Sequence, residues 1–253
     1  MGRAVVIAVY STVGGCGKTT VALNLVRQLA TEGRNIFYLN LETIRSALVD
    51  GTENGRQDRK GLAELLYDLK AVKDRNESLQ LPVSAYAFRD TTLQADTFDL
   101  PDNLDEMLEM EGEDTKELID YIVNSGKYDG VIVDVDSCPN ARTNRVLEHA
   151  DRVVWLVTDN KDVMRKTECW LHYLERTISG EFSTLMGKTR FVVNRYSGTI
   201  PMGTHRKGMQ LELTLPFIPA WNQGARKESL IHSAIYQQDV MKLCRDLYGD
   251  NNG

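Results

Sequence analysis

The run Ala4-Val-Val-Ile-Ala-Val-Tyr10 is continuously apolar, the pattern of a strand buried on both faces of a parallel sheet. A glycine-rich stretch follows, Ser11–Gly17. Apolar positions then recur with helical spacing through Val21, Leu23, Leu25, Val26 and Leu29, which predicts a helix over Lys18–Glu32 closed by Gly33. Asn35-Ile-Phe-Tyr-Leu-Asn40 reads as a second strand, completing a βαβ unit of about 30 residues.

The same alternation continues down the chain. Buried strands are predicted at Tyr128–Asp134, Arg152–Thr158 and Arg190–Asn194, with a last short strand and loop at Leu211–Pro219. Helices are predicted at Gly61–Val72, Thr115–Gly126, Asp162–Ile178 and Glu228–Tyr248. Asp50–Lys60 is polar and loop-like. The acidic segment of about residues 73–114 is the least regular, with one strand expected near Ser84–Phe88 and an acidic connection at Asp96–Glu113. Strands alternating with helices predict an α/β fold: a doubly wound, mostly parallel sheet with helices on both faces, in one domain spanning 1–253.

Composition narrows the class without naming a function. The charged fraction of 26% and apolar fraction of 42% are ordinary for a globular protein, and no apolar run approaches bilayer length. The first residues show no signal-peptide anatomy, so a cytoplasmic location is expected. Four scattered cysteines lack CxxC spacing, and the four histidines lack metal-ligand spacing. A net charge of −6 gives no global attraction to nucleic acid.

The chemistry sits in Thr12-Val-Gly-Gly-Cys-Gly-Lys-Thr-Thr20, which departs from GxxxxGK[ST] only at Thr12. Gly14, Gly15 and Gly17 let backbone N–H groups approach phosphate oxygens, with Cys16 as a small side chain between them. The helix opening at Lys18 presents its positive end. ATP and Mg²⁺ are the expected cofactors. Lys18 is expected on the β- and γ-phosphates, Thr19 on Mg²⁺, and Thr20 completes the cradle. Asp134, closing an apolar strand, fits a carboxylate that holds Mg²⁺ through water.

Paired glycines ahead of Gly-Lys-Thr resemble the deviant phosphate loop of the ParA/MinD family of ATPases, and the resemblance runs through most of the chain. Phe37-Tyr-Leu-Asn-Leu-Glu42 falls where that family has its first switch, and Tyr128–Asp134 resembles the strand before its second. Val192-Val-Asn194-Arg195 resembles the strand whose terminal Asn contacts adenine. Leu215-Pro-Phe-Ile-Pro219 resembles the loop flanking the base. The resemblance thus implies adenine contacts for Asn194 and Pro219. It also implies that Asn40 and Glu42 face the attacking water, and that an ATP-linked homodimer acts on a protein partner. The wording of the second strand is most similar to the TadZ/CpaE subgroup, which localises pilus-assembly machinery. The receiver-like domain of that subgroup is missing ahead of the first strand, so a shorter relative or an excised piece is expected.

Three departures alter the expectation. The family's interface-crossing lysine falls at Val13, leaving Arg45, Arg142 or Arg145 as replacement cations; one lost charge-assisted interface contact costs on the order of 2–5 kcal/mol. Asn40 stands where the first switch carries Asp, and an amide cannot accept the water's proton. Asp136 replaces the proline after the metal-binding strand. Binding with slow or partner-stimulated hydrolysis is therefore expected.

Other classes compete. A DNA-segregation ATPase needs a basic surface, for which Lys188, Arg190, Arg195, Arg206 and Lys207 are the candidates. A tyrosine kinase of this fold expects a C-terminal tyrosine cluster, where only Tyr236 and Tyr248 stand, and an ATP-dependent ligase needs a second pocket. The acidic, polar stretch Asp246–Gly253 argues against a membrane-anchoring basic helix.

Overall fold

Along the first strand, Val6, Ala8 and Tyr10 face one core while Ile7 and Val9 face another, so a single run of apolar residues supplies two hydrophobic layers. The computed structural model describes residues 2–44, 46, 48, 60–75, 81–101, 103–198, 209–223 and 226–249. The order is β1 (Val5–Tyr10), α1 (Lys18–Thr31), β2 (Ile36–Asn40), α2 (Leu62–Asp74), β3 (Ala87–Asp90), β4 (Ala95–Phe98), α3 (Leu104–Glu109), α4 (Gly112–Asn124) and β5 (Gly130–Asp134). Then come α5 (Ala141–His149), β6 (Arg152–Val157), α6 (Lys161–Thr177), α7 (Ser179–Gly187), β7 (Thr189–Tyr196), β8 (Leu211–Pro216), α8 (Lys227–Ile231) and α9 (Ala234–Gly249).

The strands form one sheet of eight in the order β3-β4-β2-β5-β1-β6-β7-β8. Every neighbouring pair is parallel except β3 with β4 at the edge. Residues of α2, α4, α5 and α6 share the core with Phe37, Val131 and Trp155, whereas α1 and α9 share the other with Ile36, Ile132 and Val154. The doubly wound α/β sheet is thus as expected, and its register fixes the site. Val9 of β1 and Asn40 of β2 both lie beside Asp134 of β5, so three strands deliver their carboxyl ends to one crevice.

Several elements differ from the sequence expectation. The segment 73–114 is more regular than its acidity suggests: it holds the hairpin β3–β4, helix α3 and the start of α4. The hairpin turns through Gln94 at a positive φ of 56°. Charged Asp96 enters a strand because Lys127 Nζ, Tyr128 Oη and Arg89 reach it at 2.6, 2.9 and 3.2 Å. The closing helix is two helices, broken around His232, and Ala141–His149 and Ser179–Gly187 are additional helices. The predicted loop at 50–59 lies outside the described residues. Among the described residues no helix is long and apolar enough to cross a membrane.

Candidate functional site

The loop between β1 and α1 turns on two left-handed glycines, Gly15 at φ 79° and Gly17 at φ 88°. Gly14 and Gly15 are exposed while Cys16 is buried beneath them, its thiol pKa raised by burial. Gly17 caps α1 and has no side chain to occupy the helix's first N–H groups, and no acidic residue stands in the first turn. The positive end of a 14-residue helix therefore opens beside Lys18 and Thr19. Thr20 lies in that first turn, its carbonyl accepting from the Asn24 amide at 2.7 Å.

Lys18 is buried, and its ammonium donates to the Ser137 hydroxyl at 2.9 Å and pairs with Glu42 Oε1 at 3.3 Å. Thr19 Oγ1 donates to Glu42 Oε2 at 3.2 Å. One carboxylate from the loop after β2 thus touches both side chains expected to serve phosphate and metal.

Asp134 is completely buried at the end of β5. Tyr38 Oη donates to its Oδ2 at 3.1 Å, and the Asn40 amide lies 3.2 Å from that hydroxyl and 3.5 Å from the same Oδ2. Among the described residues its other oxygen, Oδ1, has no hydrogen-bond partner. Burial and then the charge of Glu42 push the carboxyl pKa up to about 8, against the pull of Lys18, Thr19 and Tyr38. A buried carboxylate oxygen without a donor fits a cation, or a cation's water, supplied from outside. Among the described residues no group of three His, Cys, Asp or Glu side chains could hold a metal by itself, so a magnesium ion here needs phosphate oxygens as co-ligands.

Asn40, expected to face the attacking water, is 1% exposed, and its Oδ1 accepts the Glu42 backbone N–H at 3.1 Å. Its side chain thus reaches the rest of the candidate site through Glu42 and Asp134. Asp136, standing at the missing proline, accepts from the Thr43 hydroxyl at 2.6 Å, from Asn140 at 3.1 Å and from Arg142 at 3.0 Å. Arg142 also donates to Thr43. The loops after β2 and β5 are therefore tied together.

The cations proposed to replace the lysine at position 13 are differently placed. Arg142 is 4% exposed and held by Asp136; Arg145 meets Glu148 at 3.2 Å and Glu113 at 3.5 Å. Arg45 lies outside the described residues. Val13 itself packs against the α1-side core. Of the basic cluster, Lys188 donates to the Glu148 and Ala150 carbonyls, Arg190 pairs with Asp246 at 2.9 Å, and Arg195 is exposed. Arg206 and Lys207 lie outside the described residues.

Asn194 ends up under the phosphate loop. Its amide donates to the Cys16 carbonyl at 2.8 Å, and its Oδ1 accepts from Tyr236 at 2.9 Å. Tyr236 meets Trp221 edge-on at 4.7 Å, within the turn Pro219–Gln223, so the loop carrying exposed Pro219 approaches the same side. Sequence reasoning missed Tyr38, Ser137, Thr43 and Tyr236. Tyr38 carried one signal, a hydroxyl two residues ahead of Asn40 on the same strand face.

Comparison with known proteins places this geometry. The chain has the fold of a ParA family ATPase from Chlorobium tepidum, at TM-score 0.71 and 17% identity over 96% of this chain and 98% of that one. MinD complexed with Mg-ADP from Pyrococcus horikoshii matches at TM-score 0.70 and 16% identity over 98% of each. A chain of the MinC:MinD complex of Aquifex aeolicus matches at 0.70 and 18%, over 97% of this chain and 96% of that one. No curated protein matches the sequence. The model of the AAA domain family AAA_31 matches residues 4–175, and with the phosphate loop, Asp134 and the sheet between them inside that match, the chain belongs to this family.

Proposed function

We propose that this protein is a positioning ATPase of the ParA/MinD kind, a nucleotide-dependent switch that localises or assembles a partner complex. The observation that carries the reading is the convergence of Lys18, Thr19 and the uncapped end of α1 on one side with the orphaned Asp134 Oδ1 on the other. The donor set suits a nucleotide's phosphates at Gly14–Thr20 and Mg²⁺ between Thr19 and Asp134. Bound there, Mg²⁺ would neutralise charge on the phosphates. Asn194 and the loop at Pro219 would bound the base, Asn194 acting through the loop carbonyl it grips. Asn40 would hold Glu42 toward the water, and with no carboxylate at position 40 hydrolysis is slow until a partner assists.

The relatives support the cofactor and the partner by their own state: one was solved with Mg-ADP and another with MinC. By the same reading the chain is one cytoplasmic domain that dimerises on ATP, with TadZ/CpaE-like pilus localisation as the subgroup. The DNA-segregation reading draws less support, because Lys188 and Arg190 spend their charges within the protein. Calorimetric titration with ATP and ADP, with and without Mg²⁺, tests the proposal. Binding that Lys18→Ala abolishes is the expected result; a parent chain that binds neither nucleotide overturns it.

A further inference from the structure

Glu42 stands where two functions meet. Its oxygens lie 3.3 Å from Lys18 Nζ and 3.2 Å from Thr19 Oγ1, in a setting where the Lys18 and Glu42 side chains are only 8% and 13% exposed. A carboxylate so placed offers two anionic oxygens to an ammonium, a hydroxyl and the positive end of a helix, which is what a phosphate group would offer. The arm is also held from behind. Asn40 Oδ1 accepts the Glu42 N–H, and the next residue, Thr43, donates both its N–H and its hydroxyl to Asp136. Asp136 is paired with buried Arg142 on α5.

We propose that Glu42 is a built-in competitor for phosphate, whose displacement from Lys18 and Thr19 is transmitted through Thr43, Asp136 and Arg142 to α5. The inference rests on the nucleotide-binding reading and adds its regulation. Competition follows from capacity: a lysine shared with Ser137 and Glu42 has one of its three donors left, and Glu42 repels an incoming phosphate until it moves. Length matters too. Asp at position 42 would keep the charge but lose a methylene, and so lose reach to Lys18.

The test uses the full chain and ADP in EDTA, where no metal can recruit the carboxylate. Glu42→Gln is expected to bind metal-free ADP about tenfold more tightly than the parent, and Glu42→Asp to fall between the two. With excess Mg²⁺ the advantage should shrink, because the cation offers the carboxylate another partner. Equal or weaker metal-free binding by Glu42→Gln, with Lys18→Ala still abolishing binding, overturns the competitor and leaves the nucleotide reading standing. Failure of both parent and Glu42→Gln to bind ADP or ATP under either condition overturns both. For the transmission, ADP should change amide exchange across residues 141–145 in the parent but not in Asp136→Ala, which removes the acceptor of both Thr43 donors. Persistence of that change in Asp136→Ala removes the relay.

Discussion

Asn194 and Gly17 are in such close approach that a methyl group on Gly17 would meet Asn194 Nδ2 at 2.5 Å, while the same amide donates to the Cys16 carbonyl at 2.8 Å. Gly17 also sits at φ 88°, where an L side chain is strained by about 1–2 kcal/mol. Gly17→Ala should therefore lose stability twice, by backbone strain and by expelling the amide that steadies the loop. A thermal midpoint lower by at least 5 °C is expected, with ADP affinity reduced a hundredfold or more. Adding Asn194→Ala should restore part of the midpoint, since it removes the clash and leaves the strain. A double variant no more stable than Gly17→Ala would show that the contact is irrelevant.

Asp134 gives a pH signature. Its folded carboxyl is pushed up to about 8, against about 3.9 in an unfolded chain, so between those values the folded state holds the extra proton. The sign follows directly: this group's contribution is most favourable below pH 4 and declines as pH rises through 8. Asp134→Asn, measured in EDTA, should remove that decline and so raise stability relative to the parent more at pH 8 than at pH 5, by up to about 4 kcal/mol, with the thermal midpoint shifting accordingly. The same variant should lose Mg²⁺-dependent tightening of nucleotide binding. An equal midpoint shift at both pH values would refute the assignment.

How much of this was legible follows from where the partners lie in sequence. The strand, phosphate loop and helix of residues 5–31 announce themselves because every determinant is local: an apolar run, paired glycines, helical spacing. The strand β4 does not, because Asp96 interrupts its apolar run and the groups that neutralise it, Lys127 and Tyr128, are more than thirty residues away. Helix α5 is equally faint, since Val146 and Leu147 are its only large apolar side chains turned to the core. In the site, Lys18, Thr19, Glu42 and Asp134 were readable from motif position. Ser137 and Tyr38 were not, because a hydroxyl acquires its meaning from the fold that sets it beside an ammonium or a carboxylate.

Asp96 makes the hairpin acid-labile. Burial alone would raise its pKa, but Lys127, Tyr128 and Arg89 outweigh it and hold the carboxyl below its ordinary value. A lowered folded pKa means stability present above the unfolded value near 4 and lost as pH falls through the folded one. Arg89 and Lys127 are each about half exposed, which screens the pairs, so Asp96→Asn should cost about 1–2 kcal/mol at pH 7. As pH falls toward and through that lowered folded value, the gap between parent and variant should close. A urea series at pH 7, 5 and 3 reads this out, and a gap that stays constant with pH would exclude the carboxylate as its source.

Position 13 tests the interface. Val13 packs against the α1-side core at the lip of the phosphate loop, and among the described residues Arg142 and Arg145 are engaged with acidic neighbours. If association on ATP is limited by the missing cation, Val13→Lys should strengthen it, at a loss of about 1 kcal/mol of apolar packing in the monomer. Light scattering with Lys18-intact protein and ATP-Mg²⁺ should then show the dimer forming at least tenfold lower in concentration than for the parent, in line with the energy of one charge-assisted interface contact. The gain should fade as salt rises, because an ion pair across a wet interface is screened. A dimer of unchanged or weaker affinity would mean that residue 13 does not face a partner's phosphates, and that this chain closes its interface on another surface.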